Sequence, residues 1–369
     1  MTVRNLMLTA WVFLAAVAAF SAETPAEPAY RRGVNLAGPE FGKGRGTLHK
    51  DYTFNNEATF KYFAEQGFDV FRVPVKWGRL QPELGGELDA GYFGMLKQNI
   101  AWAKAHGAMV LIDLHDYGRR GMIVDGQPKS CIVDHPYDGK ILVKASDLAE
   151  LWVRLSSAFK DEPAVYGYGL MNEPHGMGEA DWKVISNVVV KAIRANADKK
   201  LILVAGNHWS NAGNWEKHNG PESWVEDPDS NFMYEAHCYF DQDMSGQYKK
   251  TYAEELEKNK DMAMVGAKRV GDFIAWCKKN NVRGFIGEFG VPDSDPRWYE
   301  ETLEHFMRAL DEAGMGGTYW AGGTYWGKYP MSIQPTEKFT VHRPQMAVLR
   351  KHLTPKAEAA AQPEPEAAK

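Results

Sequence analysis

Eight short apolar runs, separated by polar loops and amphipathic stretches, constrain this chain more than anything else in it. They cover residues 33–38, 70–75, 110–115, 167–173, 201–206, 232–239, 284–289 and 316–320. Each is nearly continuous in apolar residues, the pattern of parallel strands buried on both faces. Between them, apolar residues recur at helical spacing. One set is Phe93, Leu96, Ile100 and Ala103; a second is Leu148, Leu151, Trp152, Leu155 and Phe159. A third is Trp182, Ile185, Val188, Val189 and Ile193, and a fourth is Leu303, Phe306, Met307 and Leu310. Each set falls on one helix face. Strands alternating with helices over 369 residues predict an α/β fold, a single-domain (β/α)8 barrel. A doubly wound sheet would require a Gly-rich phosphate loop opening a helix after the first strand. Gly42-Lys-Gly-Arg-Gly46 opens none.

The barrel is expected to span 30–353. Residues 1–22 read as a secretory leader: Arg4 is its one charge, 6–20 are apolar, and the small Ser21 and Ala22 follow. The apolar stretch is shorter than the roughly 20 residues of a membrane span. Secretion with cleavage is therefore expected, to a periplasm or beyond, with no lasting membrane association. Residues 23–29 form a short lead-in. Residues 354–369 are rich in Ala, Glu and Pro without apolar periodicity and are expected to be disordered. A net charge of -5 and the lack of a basic patch argue against nucleic acid as a partner. The three cysteines, Cys131, Cys238 and Cys277, are an odd number, so at least one thiol is free. Cys277 follows Val270, Phe273 and Ile274 on a helix face and reads as core. Pairing of the other two is open.

Functional residues of such a barrel gather at the C-terminal ends of the strands. In chain order these ends carry Asn35 and then Glu40; Arg72; His115 with Tyr117 beyond it; Asn172 and Glu173; Asn207, His208 and Trp209; His237 and Tyr239; Glu288; and Trp320. Glu173 and Glu288 are two carboxylates at the ends of two buried strands, which suits two-carboxylate glycoside hydrolysis. The chain has 12 Trp and 16 Tyr, more than core packing is expected to need, and flat aromatic faces suit sugar rings. A metal is not expected, because His115-Asp116 and Asp134-His135 lack the spacing of a zinc site.

These motifs resemble the glycoside hydrolase family 5 cellulases. The matches run from Gly33-Val-Asn-Leu-Ala-Gly38 to His342-Arg-Pro-Gln-Met-Ala-Val348. Leu170-Met-Asn-Glu-Pro-His175, Leu203-Val-Ala-Gly-Asn207, Gly287-Glu-Phe-Gly290 and Tyr319-Trp-Ala-Gly-Gly323 are similar to its endo-β-1,4-glucanase branch. The resemblance implies a retaining, endo-acting hydrolase of β-glucan polysaccharides, without metal or organic cofactor, acting as a monomer. Mannan, xyloglucan and mixed-linkage glucan are alternative substrates, and a non-catalytic glycan-binding barrel is a further alternative. It implies Glu173 as acid/base and Glu288 as nucleophile. Arg72 is then placed to lower the Glu288 pKa, and Tyr239 to bond the same carboxylate. Asn172 would hold the sugar 2-hydroxyl, and His115 and His237 would bind hydroxyls and orient Glu173. Trp320 would be the platform at the cleavage point. Trp77, Tyr117, Trp209, Trp326 and Tyr329, with Asn35 and Glu40, would contact substrate. The chain departs from relatives at Gly206-Asn-His-Trp209, often Gly-Asn-Gly-Trp, and at Thr324 and Tyr325, often Pro and Trp.

Overall fold

The computed structural model describes residues 30–353. The leader at 1–22, the lead-in at 23–29 and the tail at 354–369 lie outside the described residues. Eight parallel strands close into a barrel in chain order: β1 Arg32–Leu36, β2 Val70–Val75, β3 Met109–Leu114, β4 Val165–Gly169, β5 Leu201–Ala205, β6 Phe232–His237, β7 Gly284–Phe289 and β8 Gly316–Gly322, with β8 back on β1. The (β/α)8 expectation holds. Outside the barrel run helices α1 Glu57–Glu65, α2 Ala90–Ala105, α3 Ala145–Phe159, α4 Trp182–Ala195, α5 Trp215–Asn219, α6 Val265–Lys279, α7 Glu304–Ala313 and α8 Met346–Leu349. Side-chain caps start several of them. Asn56 accepts from Thr59 N, Asp89 from Tyr92 N and Asp181 from Lys183 N.

The strands end differently from the sequence expectation at several points. β4 stops at Gly169, four residues early, and the chain then turns on a left-handed Glu173 (φ 44°). Pairing persists beyond the strand through Leu170 N to Leu203 O and Asn172 N to Leu114 O. β6 stops at His237, whereas β8 runs on to Gly322. The β3–α3 loop contains an unpredicted hairpin, Arg119–Val124 against Gln127–Ile132. Val188, expected on the buried face of α4, is 38 % exposed.

The barrel interior is layered. Val70, Leu111, Leu201, Leu203 and Phe285 form an apolar plug, with Tyr166 and Met233 against it. Side chains two residues on face the same way along a strand. On β2, β3 and β6 that step leads from Val70 to Arg72, from Leu111 to Asp113 and from Met233 to Glu235, and the three charged residues are buried. A charged layer therefore lies directly above an apolar one. On β7 the pairing register shifts between Ile286 and Glu288, which leaves Gly287 in a bulge. Such an extra residue re-aims the side chain that follows it.

Six tryptophans, Trp77, Trp152, Trp182, Trp215, Trp276 and Trp298, are fully buried, so half of the 12 are accounted for by packing after all. Cys131, Cys238 and Cys277 are all buried free thiols.

Candidate active site

Arg72 organises the floor of the barrel mouth. Nη1 donates to Asn35 Oδ1 at 2.9 Å and to Glu288 Oε1 at 3.2 Å. Nη2 donates to Asn172 Oδ1 and to Glu235 Oε1, each at 2.8 Å. Asp113 Oδ1 lies 3.0 Å from Nη2 but off the line of N–H donation. Burial would weaken the guanidinium's hold on its proton, but Asp113, Glu235 and Glu288 outweigh it and raise the Arg72 pKa.

Glu288 is buried, and its second oxygen accepts from Tyr239 Oη at 2.8 Å. Arg72 makes the expected contact, yet the net shift of Glu288 is upward, because burial prevails. His237, Arg72 and His115 pull down, and Glu173 adds to the upward push. Glu173 stands on the other side of the mouth, its side chain 16 % exposed. Oε1 lies 2.7 Å from His237 Nδ1. Carboxylate oxygens of Glu173 and Glu288 and His237 Nδ1 lie within 4.8 Å of one another. Retaining glycosidases hold their carboxyls about 5–5.5 Å apart, and inverting ones leave about 6.5–9.5 Å for a water.

The two histidines differ. Burial pulls the His237 pKa down, but the charges of Glu288, Glu173 and Glu235 outweigh it and lift it to about 10. A proton-bearing His237 is a poor metal ligand. His115 is lowered to about 3, first by burial and then by Arg72 and Lys76 against opposing carboxylates. Its Nδ1 lies 2.7 Å from Asp113 Oδ2 and its Nε2 3.3 Å from Asn172 Nδ2. His237 thus touches the Glu173 carboxylate as expected, whereas the polar side-chain contacts of His115 are with Asp113 and Asn172. Asp113 and Glu235 are not among the site residues expected from the sequence. Their signal was a charged residue inside an apolar run, two before a histidine.

Aromatic residues flank the pair. A cavity of about 480 Å³ opens beside Glu173, His237 and Tyr239, walled by Tyr117, Trp209 and the 243–247 loop. Trp209 is 45 % exposed and stacks on His175 at 4.4 Å between ring centroids. His208, Trp209 and Ser210 are successive left-handed residues (φ 56°, 58° and 54°), where a glycine would sit without strain. His208 stacks on His218 at 3.7 Å in this turn. On the β8 side, Trp320 stacks near-parallel to His115 at 5.7 Å and meets Trp326 edge-on at 5.7 Å. Trp326 stacks on Tyr329, and Phe41 stacks on Tyr325, each pair at 4.4 Å.

Three expected substrate contacts are not at the surface of this mouth. Trp77 is wholly buried in the short Trp77–Leu80 helix, with Nε1 donating to Gln81 Oε1 at 3.1 Å. Asn35 is buried beneath the site, where Nδ2 donates to Gly287 O at 2.8 Å while Oδ1 receives Arg72. Glu40 is buried as well. Oε2 accepts from Gly38 N at 2.8 Å and Oε1 has no hydrogen-bond partner among the described residues. Burial, against weaker backbone bonds, pushes its pKa up to about 8.

The sign for Glu40 follows from linkage. The folded state holds this proton more tightly than an unfolded glutamate near pH 4.3 does. Stability from the neutral form is complete below that pH and is lost as pH rises towards about 8. Glu40→Gln, neutral throughout, is expected to match the wild type near pH 4 and to melt about 2 °C or more higher near pH 9 by calorimetry. Equal Tm differences at both values would refute a buried neutral acid here.

A parallel barrel with two close carboxylates across its mouth defines a glycosidase layout. The model of the family Cellulase (glycosyl hydrolase family 5) matches residues 28–325. The chain belongs to glycosyl hydrolase family 5. It is 29% identical to endo-β-1,4-glucanase B of Emericella nidulans, over 83% of this chain and 86% of that protein. The endoglucanase Cel5A of Pseudomonas stutzeri in complex with cellobiose superposes with a TM-score of 0.77 at 33% identity, covering 89% of this chain and 94% of that one. XacCel5A in complex with cellopentaose gives 0.75 at 34% identity, covering 88% and 99%.

Proposed function

We propose that this protein is a retaining endo-β-1,4-glucanase that cleaves internal bonds of cellulose and related β-glucans by double displacement. The observation that carries the reading is the separation of Glu173 and Glu288, within 4.8 Å oxygen to oxygen. That fits the close spacing of retaining enzymes and not the wider spacing that inverting ones use. Glu288, oriented by Arg72 and Tyr239, attacks the anomeric carbon while Glu173 protonates the leaving oxygen. The glycosyl ester consumes the Glu288 charge. Glu173, now a carboxylate, then removes a proton from the water that releases the sugar. Asn172, fixed by Arg72, is set to bond the 2-hydroxyl.

The open mouth and the aromatic faces on both sides suit a polymer threading through rather than a chain end in a blind pocket. Endoglucanases among the relatives, and their complexes with cellobiose and cellopentaose, support the same substrate class. The leader read over 1–22 belongs to this proposal and places the enzyme outside the cytoplasm. No helix among the described residues is long and apolar enough to cross a membrane.

The test is reducing-sugar release from carboxymethyl cellulose, barley β-glucan, xyloglucan, mannan and xylan, with proton NMR of the first product anomer. Release from carboxymethyl cellulose as the β anomer is expected. An α anomer would overturn retention. Release from mannan or xyloglucan alone would keep the chemistry and move the substrate.

A further inference from the structure

The proposed chemistry leaves Glu235 on β6 without a role, although it is only 2 % exposed and lies two residues before a strand-end histidine. Its carboxylate occupies a built seat. A Cβ on Gly287, in the β7 bulge, would fall 2.2 Å from Glu235 Oε1, and one on Gly169 of β4 would fall 3.5 Å from Oε2. The glycine at 287 therefore opens the space the carboxylate fills, and a side chain at 169 would only touch it. Oε1 accepts from Arg72 Nη2 at 2.8 Å and lies 3.2 Å from His237 Nε2. The other nitrogen of that ring lies 2.7 Å from Glu173 Oε1. An unbroken line of contacts joins Arg72, Glu235, His237 and Glu173.

We propose that Glu235 is a positioning residue for the acid/base step, holding His237 as an imidazolium whose Nδ1–H points at Glu173 Oε1, so that the transferable proton of Glu173 is carried on Oε2. This rests on Glu173 being the acid/base. In the first step the Oε2 proton moves to the leaving oxygen, the C1–O bond breaks and a C1–O bond to Glu288 forms. His237 keeps its proton and faces the new carboxylate. In the second step Oε2 takes a proton from water, the water oxygen bonds C1, and the bond to Glu288 breaks. A neutral His237 with a bare Nδ1 would instead accept the Glu173 proton and turn the acid away from the substrate.

The groups around His237 support the assignment. Glu235 comes from its own strand, Tyr239 from just beyond it, Glu288 from β7, Glu173 from beyond β4, Arg72 from β2 and Asp113 from β3. β5 meets it through the backbone, His237 N donating to Ser210 O at 2.8 Å. Burial would raise the Glu235 pKa, but Arg72 and His237 outweigh it and bring it to about 2, so its charge is permanent. β3 repeats the same two-residue spacing with Asp113 and His115, and the outcome is opposite. There burial carries the Asp113 pKa up to about 7 against Arg72, and His115 is held neutral. One spacing thus yields a charged imidazole beside the acid and a neutral one beside Asn172.

The experiment compares kcat/KM of wild type, Glu235→Gln and Glu173→Ala on phenyl and dinitrophenyl β-cellobiosides. Only the phenyl compound needs a proton on its leaving oxygen. Near pH 8, Glu235→Gln is expected to lose about tenfold or more on the phenyl substrate and less than about threefold on the dinitrophenyl one. The alkaline limb of its phenyl profile should move about one unit or more towards acid, since removing a carboxylate releases the His237 proton earlier. Equal losses on both substrates, or a profile that superposes on the wild type's, would overturn the proposal. Glu173→Ala separates the two levels. If it ignores the leaving group, the acid/base assignment itself falls. If it discriminates and Glu235→Gln does not, only the role of Glu235 falls. The wild-type imidazole NMR spectrum, with His237 assigned by His237→Gln, reads the same point should Glu235→Gln not fold. Protons on both ring nitrogens near pH 8 are expected, and a single neutral tautomer there would refute the imidazolium.

Discussion

Glu288→Gln is expected to reduce hydrolysis of cellopentaose and of soluble cellulose by roughly 10⁴-fold or more in kcat, with substrate binding preserved. An amide oxygen does not form the glycosyl ester, so double displacement stops before its first bond is made. The replacement keeps the shape of the site. Arg72 Nη1, now 3.2 Å from the carboxylate, can still donate to the amide oxygen. Binding of cellopentaose by calorimetry should stay within about threefold of the wild type, since the aromatic faces of Trp320 and Trp209, proposed to stack on sugar, are untouched. The protein should also become more stable. Burial holds the Glu288 pKa above its ordinary value, so the folded state favours the neutral form. By the sign of linkage, wild-type stability falls as pH rises through the titration of this group, and a permanently neutral Gln escapes that loss. A gain of about 2 °C or more in Tm at neutral pH would show a catalytic carboxylate kept at a cost in stability. Wild-type turnover in this variant would end the nucleophile assignment.

The fold was legible because a parallel barrel writes itself into the sequence as buried strands. The 70–75 run coincides with β2, and the face of α3 carrying Leu148, Leu151, Trp152, Leu155 and Phe159 is buried throughout. The misreadings share a cause. An apolar average hides single residues, so Asp113 and Glu235 were absorbed into strands although each is a charge in the barrel interior. Their meaning depends on Arg72, which reaches them from 41 and 163 residues away in sequence. Trp77 and Asn35 lie near strand ends, and position alone puts them at the mouth. Side-chain direction decided otherwise. The helical turn at Trp77–Leu80 tucks the indole inward, and Asn35 points down to bridge Arg72 and Gly287 O. The β3–α3 hairpin carries weak alternation and an exposed Ile123, so periodicity offered little signal there.

Glu173→Ala is expected to divide substrates by their leaving groups. Glycosylation of cellotetraose expels a sugar alkoxide and needs a proton in the transition state, so its kcat/KM should fall by about 10²–10⁴-fold. A dinitrophenolate leaves without that proton, and kcat/KM for dinitrophenyl β-cellobioside should change by less than about tenfold. The ester on Glu288 then persists, because no carboxylate remains to take the proton from water. An azide ion needs no base and can enter the space vacated by the side chain. It should attack C1 from the face the leaving group occupied, releasing the Glu288 carboxylate and giving a β-glycosyl azide. Recovery of turnover with azide, and the anomer of that product by NMR, together report which carboxylate was removed. The same addition to Glu288→Gln with the β-cellobioside should yield no β-azide, since no ester forms for it to attack. Because His237 Nδ1 lies 2.7 Å from Glu173 Oε1 and 3.6 Å from Glu288 Oε2, the variant also leaves the imidazolium with Glu288 and Glu235 as its remaining acidic neighbours. The loss of one carboxylate lowers the pH at which His237 gives up its proton, so azide-rescued turnover should decline at a lower pH than wild-type hydrolysis does. Equal losses on both leaving groups, with no response to azide, would show that Glu173 is not the group that handles the proton.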